Sequence, residues 1–498
     1  MDVREKLHIF ALCNNYHRMK KTLILSLLLA ATLRLTAGTG DVDGDRQRTM
    51  ADVESIAKYI MGEIPETFDL EAADVNGDTK VDAADIVVLL NKIINNEIAL
   101  WQHPVGTGLP VVFITTPNGK AIPAKSEGWL ENATIEIYRP DGTVDCSDAA
   151  LSIRQRGNLT ATLPKKPYAL KLSKGAEVLG MNKHKRWCLL ANWIDRTLLR
   201  NDVAFQIARQ TALAWTPSGK FVEVMLNGKH VGNYYLCEQV KVNKKRVNIT
   251  EMKKEDVTDE TITGGYLLEV DVSYDETNKF KSATKKLPYM IQSPEEDVLQ
   301  PAQLTYITNY INKMEQLLYA DNWLSKRGYA DMMDIGTFVD YWFVQELAMN
   351  SEIRYPKSVF LTKDRGGKLK AGPVWDFDYE TFYKSKINKF NATNNDKNME
   401  HLYFERLFQD RKFVEEVKSR WSAYKAGFDQ IPAYIREMAA YIKASNEIDI
   451  KMWPKLEKYG IPATVNADQN MTFDEAIENM ISLYTSKLAW MDQQIKGM

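Results

Sequence analysis

One repeat constrains this chain more than any other feature. DVDGDRQRTMAD, starting at Asp41, recurs as DVNGDTKVDAAD from Asp74. Each copy is followed by apolar residues at helical spacing, Val53, Ile56, Ala57 and Ile60 after the first and Ile86, Leu89, Leu90 and Ile93 after the second. Calcium takes roughly six to eight oxygens from a loop of this length, from positions one, three, five, nine and twelve and from the carbonyl at seven. In the second copy these are Asp74, Asn76, Asp78, the Lys80 carbonyl, Asp82 and Asp85, with Val81 packing inward. In the first they are Asp41, Asp43, Asp45, the Gln47 carbonyl, Thr49 and Asp52. Arg46 stands where such loops usually need glycine, and a left-handed non-glycine residue costs on the order of 1 kcal/mol. The first loop is therefore expected to bind the ion more weakly.

Aspartate at position twelve and one helix per loop depart from the common EF-hand pattern, which has glutamate there and two helices. A duplicated DVxGD loop with a single following helix resembles a type I dockerin, over Asp41 to about Ile94. The resemblance implies a small all-α calcium module that docks on a cohesin-type scaffold protein, with Met50-Ala51 and Ala83-Ala84 facing the partner. The alternative is a calcium-stapled spacer with no partner.

Ahead of the repeat, MKKTLILSLLLAATLRLTAG from Met19 has two lysines, a short apolar run and small residues at its end, the pattern of a cleaved signal peptide over 19–38. Residues 1–18 fit no signal pattern and read as a mis-assigned start. A secreted or cell-surface bacterial protein follows, not transmembrane once the signal is removed. Cys13 lies before the cleavage point. Cys146, Cys188 and Cys237 remain, without C-x-x-C spacing, so one bridge with one free thiol and three free thiols are both open. A formal charge of −2 gives no basic field for nucleic acid as a general partner.

After the repeat module, 40–97, a linker is expected over 98–108 and a large α+β domain over 109–498. Strand-like runs such as VVFIT, ATIEIY, YALKL and GGYLLEVD dominate to about residue 298, with an NGK hairpin turn at Asn227. Helical patterns dominate from about 299, interrupted by SVFLTKDRGGKLKAGPVWDFD, which reads as a hairpin.

Two segments of that domain carry chemistry. In IRQRGNLTATLPKKPYALKL, Gly157 permits close backbone approach, Arg156 and Asn158 can reach phosphate oxygens, and Lys171 lies on a strand as a nucleotide-binding lysine would. In GPVWDFDYE, Asp376 and Asp378 alternate with Trp375 and Phe377, so an extended segment points both carboxylates to one side. Two adjacent carboxylates need a cation, either magnesium or a basic side chain. Glu238 and Glu269 are candidates to pair with Lys171, and Arg196 and Arg200 either touch phosphate or pair with Asp195 and Asp202.

Together these segments, with LPVVFITTPNG, MNKHKRWCLLANWIDRTLLRNDVAFQIA, LNGKHVGNYYLCEQV, VQELAMNSEIRYPKSVFLTKDRGGKLKAGPVWDFD and LFQDRKFVEEVKSRW, resemble the spore coat protein H kinase family from about Leu109 to Trp421. The resemblance implies a two-lobed kinase-like fold with a strand-rich and a helical lobe, ATP with magnesium or manganese, and a protein acceptor. By it Asp376 chelates metal; the paired-carboxylate reading adds Asp378. The family's catalytic loop resembles N-x-D with a later asparagine. Here Asn350-Ser351-Glu352 and then Ser358 hold those places, so Glu352 is the expected proton acceptor and Ser358 a metal ligand. Glutamate reaches one methylene further, and misplacement by about 1 Å can cost roughly a hundredfold. Three functions stay open: a scaffold-tethered phosphotransferase, a catalytically silent kinase-fold binding module, and a polysaccharide-degrading enzyme using Glu269, Asp271, Asp376 or Asp378 as acid and nucleophile.

Overall fold

Each loop of the repeat closes on its own last aspartate. Asp52 Oδ1 accepts from the Val42 amide at 2.7 Å and its Oδ2 from the Thr49 amide at 2.7 Å. Asp85 does the same with Val75 and Asp82, each at 2.8 Å. Both carboxylates are buried. The computed structural model describes residues 39–45, 48–94, 103–391, 402–454, 468 and 470–498, and the chain divides into two compact units, Met1–Gly106 and Thr107–Met498. The expected signal segment and the residues before it, Cys13, Arg46 and Gln47 lie outside the described residues, as do 98–102 of the expected linker.

In the first unit, helix α1 (Met50–Ile60) and helix α3 (Ala83–Ile94) follow the two loops, and a one-turn helix, α2 (Leu70–Ala73), lies between them. The sequence reading missed α2, whose signal is only Asp69: its Oδ1 accepts from the amides of Glu71 and Ala72. Val42, Val53, Ile56, Ala73, Val75 and Leu89 form the core, with Val81 packed against it.

The second unit has mixed α+β architecture. Strands β1 (Val111–Thr115), β2 (Leu130–Tyr138), β3 (Val144–Gln155), β4 (Tyr168–Val178), β5 (Met181–Leu190), β6 (Gly219–Leu226) and β7 (Lys229–Glu238) close a barrel in the order β1-β2-β3-β4-β5-β7-β6. The closing pair, β1 with β6, is parallel. Asn227 and Gly228, both at positive φ, make the tight turn from β6 to β7. Alternation puts Val112, Ile137, Leu170, Leu189 and Val224 inside the barrel. Cys188 and Cys237 face each other across β5 and β7 on the outer wall, in the same core as the helices. They and Cys146 are free thiols, which decides between the two arrangements left open.

A second sheet runs β12-β11-β8-β10-β9, built from β8 (Tyr266–Val270), β9 (Lys279–Lys281), β10 (Pro288–Ser293), β11 (Val359–Lys363) and β12 (Leu369–Ala371). The β11-β12 hairpin joins through β11, which pairs with β8. The sheet thus crosses residue 298, where strand-rich and helix-rich halves were expected to part.

Helix α4 (Arg200–Ala208) is inserted between β5 and β6. The remaining helices are α5 (Pro301–Leu318), α6 (Trp323–Lys326), α7 (Ile335–Leu347), α8 (Phe404–Leu407), α9 (Arg411–Phe428), α10 (Ile431–Met452) and α11 (Phe473–Gly497). Tyr341, Trp342 and Phe343 on α7 are fully buried. Phe343 packs on Trp421 of α9, with ring centroids 5.4 Å apart.

Candidate functional site

A cavity of about 710 Å³ lies between the barrel's outer wall and the second sheet. Three stretches distant in sequence reach it. The first is the turn after β3. Gly157 has φ +84°, and a Cβ there would lie 2.1 Å from Thr160 Oγ1, so only glycine fits. Arg156 lies over the Trp375 ring at 5.3 Å from its centroid, and Asn158 Nδ2 donates to Ser273 Oγ at 3.3 Å. All three of Arg156, Gly157 and Asn158 line the cavity.

The second stretch holds Glu352 and Ser358. Glu352 begins a short 3-10 turn, its amide donating to Asn350 Oδ1 at 2.9 Å. Ser358, at φ +50°, donates its amide to Asp271 Oδ2 at 3.0 Å and its hydroxyl to Asp376 Oδ2 at 3.2 Å. One serine thus ties two acidic groups together.

The third stretch is the acidic turn itself. The extended geometry expected for GPVWDFD stops at Ala371, and Asp376 is left-handed at φ +67°. The simple alternation is corrected on this point. The outcome it was meant to explain survives in part, through packing: Trp375 and Phe377 bury against Phe205 of α4, with centroids 6.0 and 6.4 Å away, but Trp375 lines the cavity together with Asp376 and Asp378, and only Phe377 is turned away from it. Asn201 of α4 holds the turn, its Oδ1 accepting from the Phe377 amide at 2.8 Å. Arg200 donates to the Thr381 carbonyl at 3.0 Å.

The carboxyls of the cavity act on one another. Burial, then Asp376 and Asp195, push Asp378 up to about 8. Burial raises Asp376 as well, while Arg156 and the Ser358 hydroxyl pull it back. Glu352 is pushed well above the carboxylate range by burial and by Asp376. On the second sheet, burial and Asp271 raise Glu269 to about 8, and its Oε2 accepts from Gln292 at 2.8 Å. Carboxyls gathered this closely oppose one another's ionisation unless a cation sits among them. Two carboxylates and a hydroxyl are oxygen donors of the type magnesium and manganese prefer.

Other expected site residues lie elsewhere. Lys171 is on the same face of β4 as Ala169 but beyond the cavity lining, beside Ser152 and Arg186 in register. Glu238 is outside the lining too. It stands opposite Trp187, a residue of the barrel interior, is paired with Arg246 at 3.6 Å and accepts from the Ser218 amide. Neither Glu238 nor Glu269 is ion-paired with Lys171. Arg200 forms ion pairs with Asp195 at 3.2 Å and Asp468 at 2.7 Å, and Arg196 donates to the Met471 carbonyl. Asp202 takes hydrogen bonds from Tyr235 and Tyr434. Sequence reading missed Asn201, Asp271 as the Ser358 partner, and Arg154, Arg186 and Trp129 on the barrel wall. The two arginines alternate with Ile153 and Trp187, which marks strands but not the face that meets a cavity.

In the first unit, carboxylate oxygens of Asp41, Asp43 and Asp45 lie within 4.8 Å of one another. In the second loop Asp74 accepts from the amides of Gly77, Asp78 and Thr79, which shapes the loop. Thr79 has φ +73°. The left-handed backbone expected at Arg46, which lies outside the described residues, is found at the matching position of the second loop, Thr79, which the sequence reading did not single out.

Comparison with known families gives two matches. A family described as CotH kinase protein matches residues 153–491, and one described as Dockerin type I domain matches 39–94. No curated protein matches the chain.

Proposed function

Because the chain belongs to the CotH kinase protein family and carries a dockerin type I segment ahead of the matched region, we propose that it is a metal-dependent phosphotransferase tethered to a scaffold. It transfers a phosphoryl group from ATP to a protein hydroxyl in a two-lobed, kinase-like fold. The observation that carries this reading is the meeting in one cavity of the Arg156-Gly157-Asn158 turn, Glu352 with Ser358, and Asp376 with Asp378. Asp376, Asp378 and Ser358 would hold magnesium or manganese, which supplies charge neutralisation at the phosphates. Arg156 and Asn158 bind and orient the nucleotide. Glu352 is the group that accepts the proton of the attacking hydroxyl.

The small unit takes calcium at Asp41, Asp43, Asp45, Thr49 and Asp52 and at Asp74, Asn76, Asp78, Lys80, Asp82 and Asp85, and docks on a cohesin-type partner. Dockerin-bearing proteins are typically extracellular or at the cell surface, which suits this chain. No helix among the described residues is long and apolar enough to cross a membrane.

One observation favours the catalytically silent reading. The Ser358 hydroxyl is spent on Asp376, and the Glu352 carboxyl is held toward its protonated form by burial. Incubating the purified chain with radiolabelled ATP and magnesium or manganese, beside Asp376→Ala, separates the two. Label on protein that is lost in the variant supports the phosphotransferase. A folded chain that transfers no label to itself or to co-secreted proteins is a binding module.

A further inference from the structure

The cavity is divided by charge. Its second-sheet side carries Glu269, Asp271, Asp275, Glu276 and Glu295, and its barrel side carries Arg154 at the end of β3, Arg156 just beyond it and Arg186 on β5. Lys357, near Glu352 and Asp376, is in no ion pair among the described residues, but the lysines at the rim are already spent across the cavity: Lys125 pairs with Asp275 at 3.2 Å and Lys241 with Glu295 at 2.9 Å. The arginines are not. Among the described residues none of the three is in an ion pair, although the charges of Asp376 and Asp378 act on Arg156 and that of Glu276 on Arg154; Arg154 Nη1 donates to the Lys125 carbonyl at 3.5 Å, and the other contacts that hold them are aromatic. Arg154 and Arg186 lie 4.5 and 4.9 Å from the centroid of the same Trp129 ring, and Arg156 lies over Trp375. The Arg154 Nε is buried with no acceptor. Ala169, between Arg154 and Cys188 in register, is too small to cover the strand at that point and lines the cavity.

Like-charged guanidiniums gathered on one wall repel, and an indole ring compensates them only weakly compared with an anion. Planar forks without carboxylate partners suit the oxygens of phosphate, which they can grip with two parallel bonds. We propose that Trp129, Arg154 and Arg186 form a polyphosphate subsite, with the indole ring holding both guanidiniums toward the cavity to take the phosphate chain of a nucleoside triphosphate. This rests on the phosphotransferase reading and deepens it. It assigns the phosphates to the two arginines and not to Lys171, and it gives a role to Trp129, which precedes the matched stretch that starts at residue 153. Trp129 is a positioning residue.

Calorimetric titration of the full chain with ATP, inorganic tripolyphosphate and adenosine, in magnesium, tests the assignment. Arg154→Gln with Arg186→Gln should weaken ATP and tripolyphosphate by about tenfold or more, since charge-assisted bonds are lost, and leave adenosine unchanged. Trp129→Ala should weaken the same two probes several-fold, and Trp129→Phe should restore them. If the double glutamine variant does not fold, Arg154→Lys with Arg186→Lys keeps the charge but removes the forks, and must still weaken ATP relative to adenosine. ATP bound equally by the wild type and the arginine variants overturns the subsite while the nucleotide reading stands. Arginine-dependent binding of tripolyphosphate without any binding of ATP keeps the anion subsite and removes the nucleotide. A wild-type chain that binds neither removes both.

Discussion

At the scale of single residues, the site is built from conformations that most side chains avoid. Gly157, Ser358 and Asp376 all lie at positive φ. For Gly157 the requirement is double, because the left-handed backbone and the Thr160 hydroxyl both exclude a side chain. Gly157→Ala should cost about 1–2 kcal/mol from the backbone alone, and more from overlap with Thr160. Adding Thr160→Ala should recover only the overlap part. Urea unfolding followed by tryptophan fluorescence measures both, and an alanine variant as stable as the wild type would show that the turn is not held in this shape. Ser358 gives the opposite prediction. Asparagine tolerates left-handed backbone better than serine and offers a carbonyl to a cation. Ser358→Asn should keep the fold and tighten manganese binding in a titration read by electron paramagnetic resonance; weaker binding would count against Ser358 as a ligand. The Gly157 turn was legible in sequence because turn chemistry is local; the two aspartates were singled out by an alternation that the left-handed Asp376 does not keep. Asn201 was not legible, because the amide it holds is 176 positions away in the chain.

Between elements, buried charge fixes the barrel to the helices. Lys165, just ahead of β4, donates to Asp449 of α10 at 2.6 Å, and the Asn233 amide of β7 donates to the same oxygen at 2.9 Å. Both side chains are almost fully buried. Removing one partner leaves a buried charge uncompensated, so Lys165→Met or Asp449→Leu alone should cost about 3–5 kcal/mol, and the two together less than their sum. Additive losses in a double-mutant cycle would mean the pair does not couple these elements. Helix α9 starts on another such group. Asp410 accepts from the Lys412 amide at 2.9 Å, from Arg327 at 2.7 Å and from the Tyr329 hydroxyl. Burial works against its charge, but these partners hold its carboxyl below the ordinary value. Its contribution is then complete above the ordinary carboxylate pKa and is lost as pH falls through the lower folded value. Asp410→Ala should cost roughly 0.5–2 kcal/mol at neutral pH and flatten the acid limb of the stability curve. An unchanged acid limb would show that the carboxyl titrates normally.

Taken whole, the molecule has two compact units with separate cores. The first has only a small core, and its loops are lined with aspartates that repel without an ion. Chelation of calcium should abolish the calorimetric transition of the first unit and leave that of Thr107–Met498 in place. A single transition that shifts as one would contradict this. The two loops of the first unit and the helices after them, though not α2, which only Asp69 marks, were legible in the repeat, because the turns and the aspartate that closes each loop fall within one short stretch of chain. The strands and main helices of the second unit were readable from periodicity for the same reason. What sequence could not decide was which face of each strand meets the cavity. A period of two sorts Glu238 from Cys237 and Arg186 from Trp187, but the barrel's closure decides which set is inside. Closure turned Glu238 toward Arg246 and away from the cavity, left Lys171 beyond the lining, and brought Arg154 and Arg186 against Trp129. Local geometry fixes the elements; the meeting of Arg156, Glu352 and Asp376 depends on packing between segments some two hundred residues apart, which only the folded chain specifies.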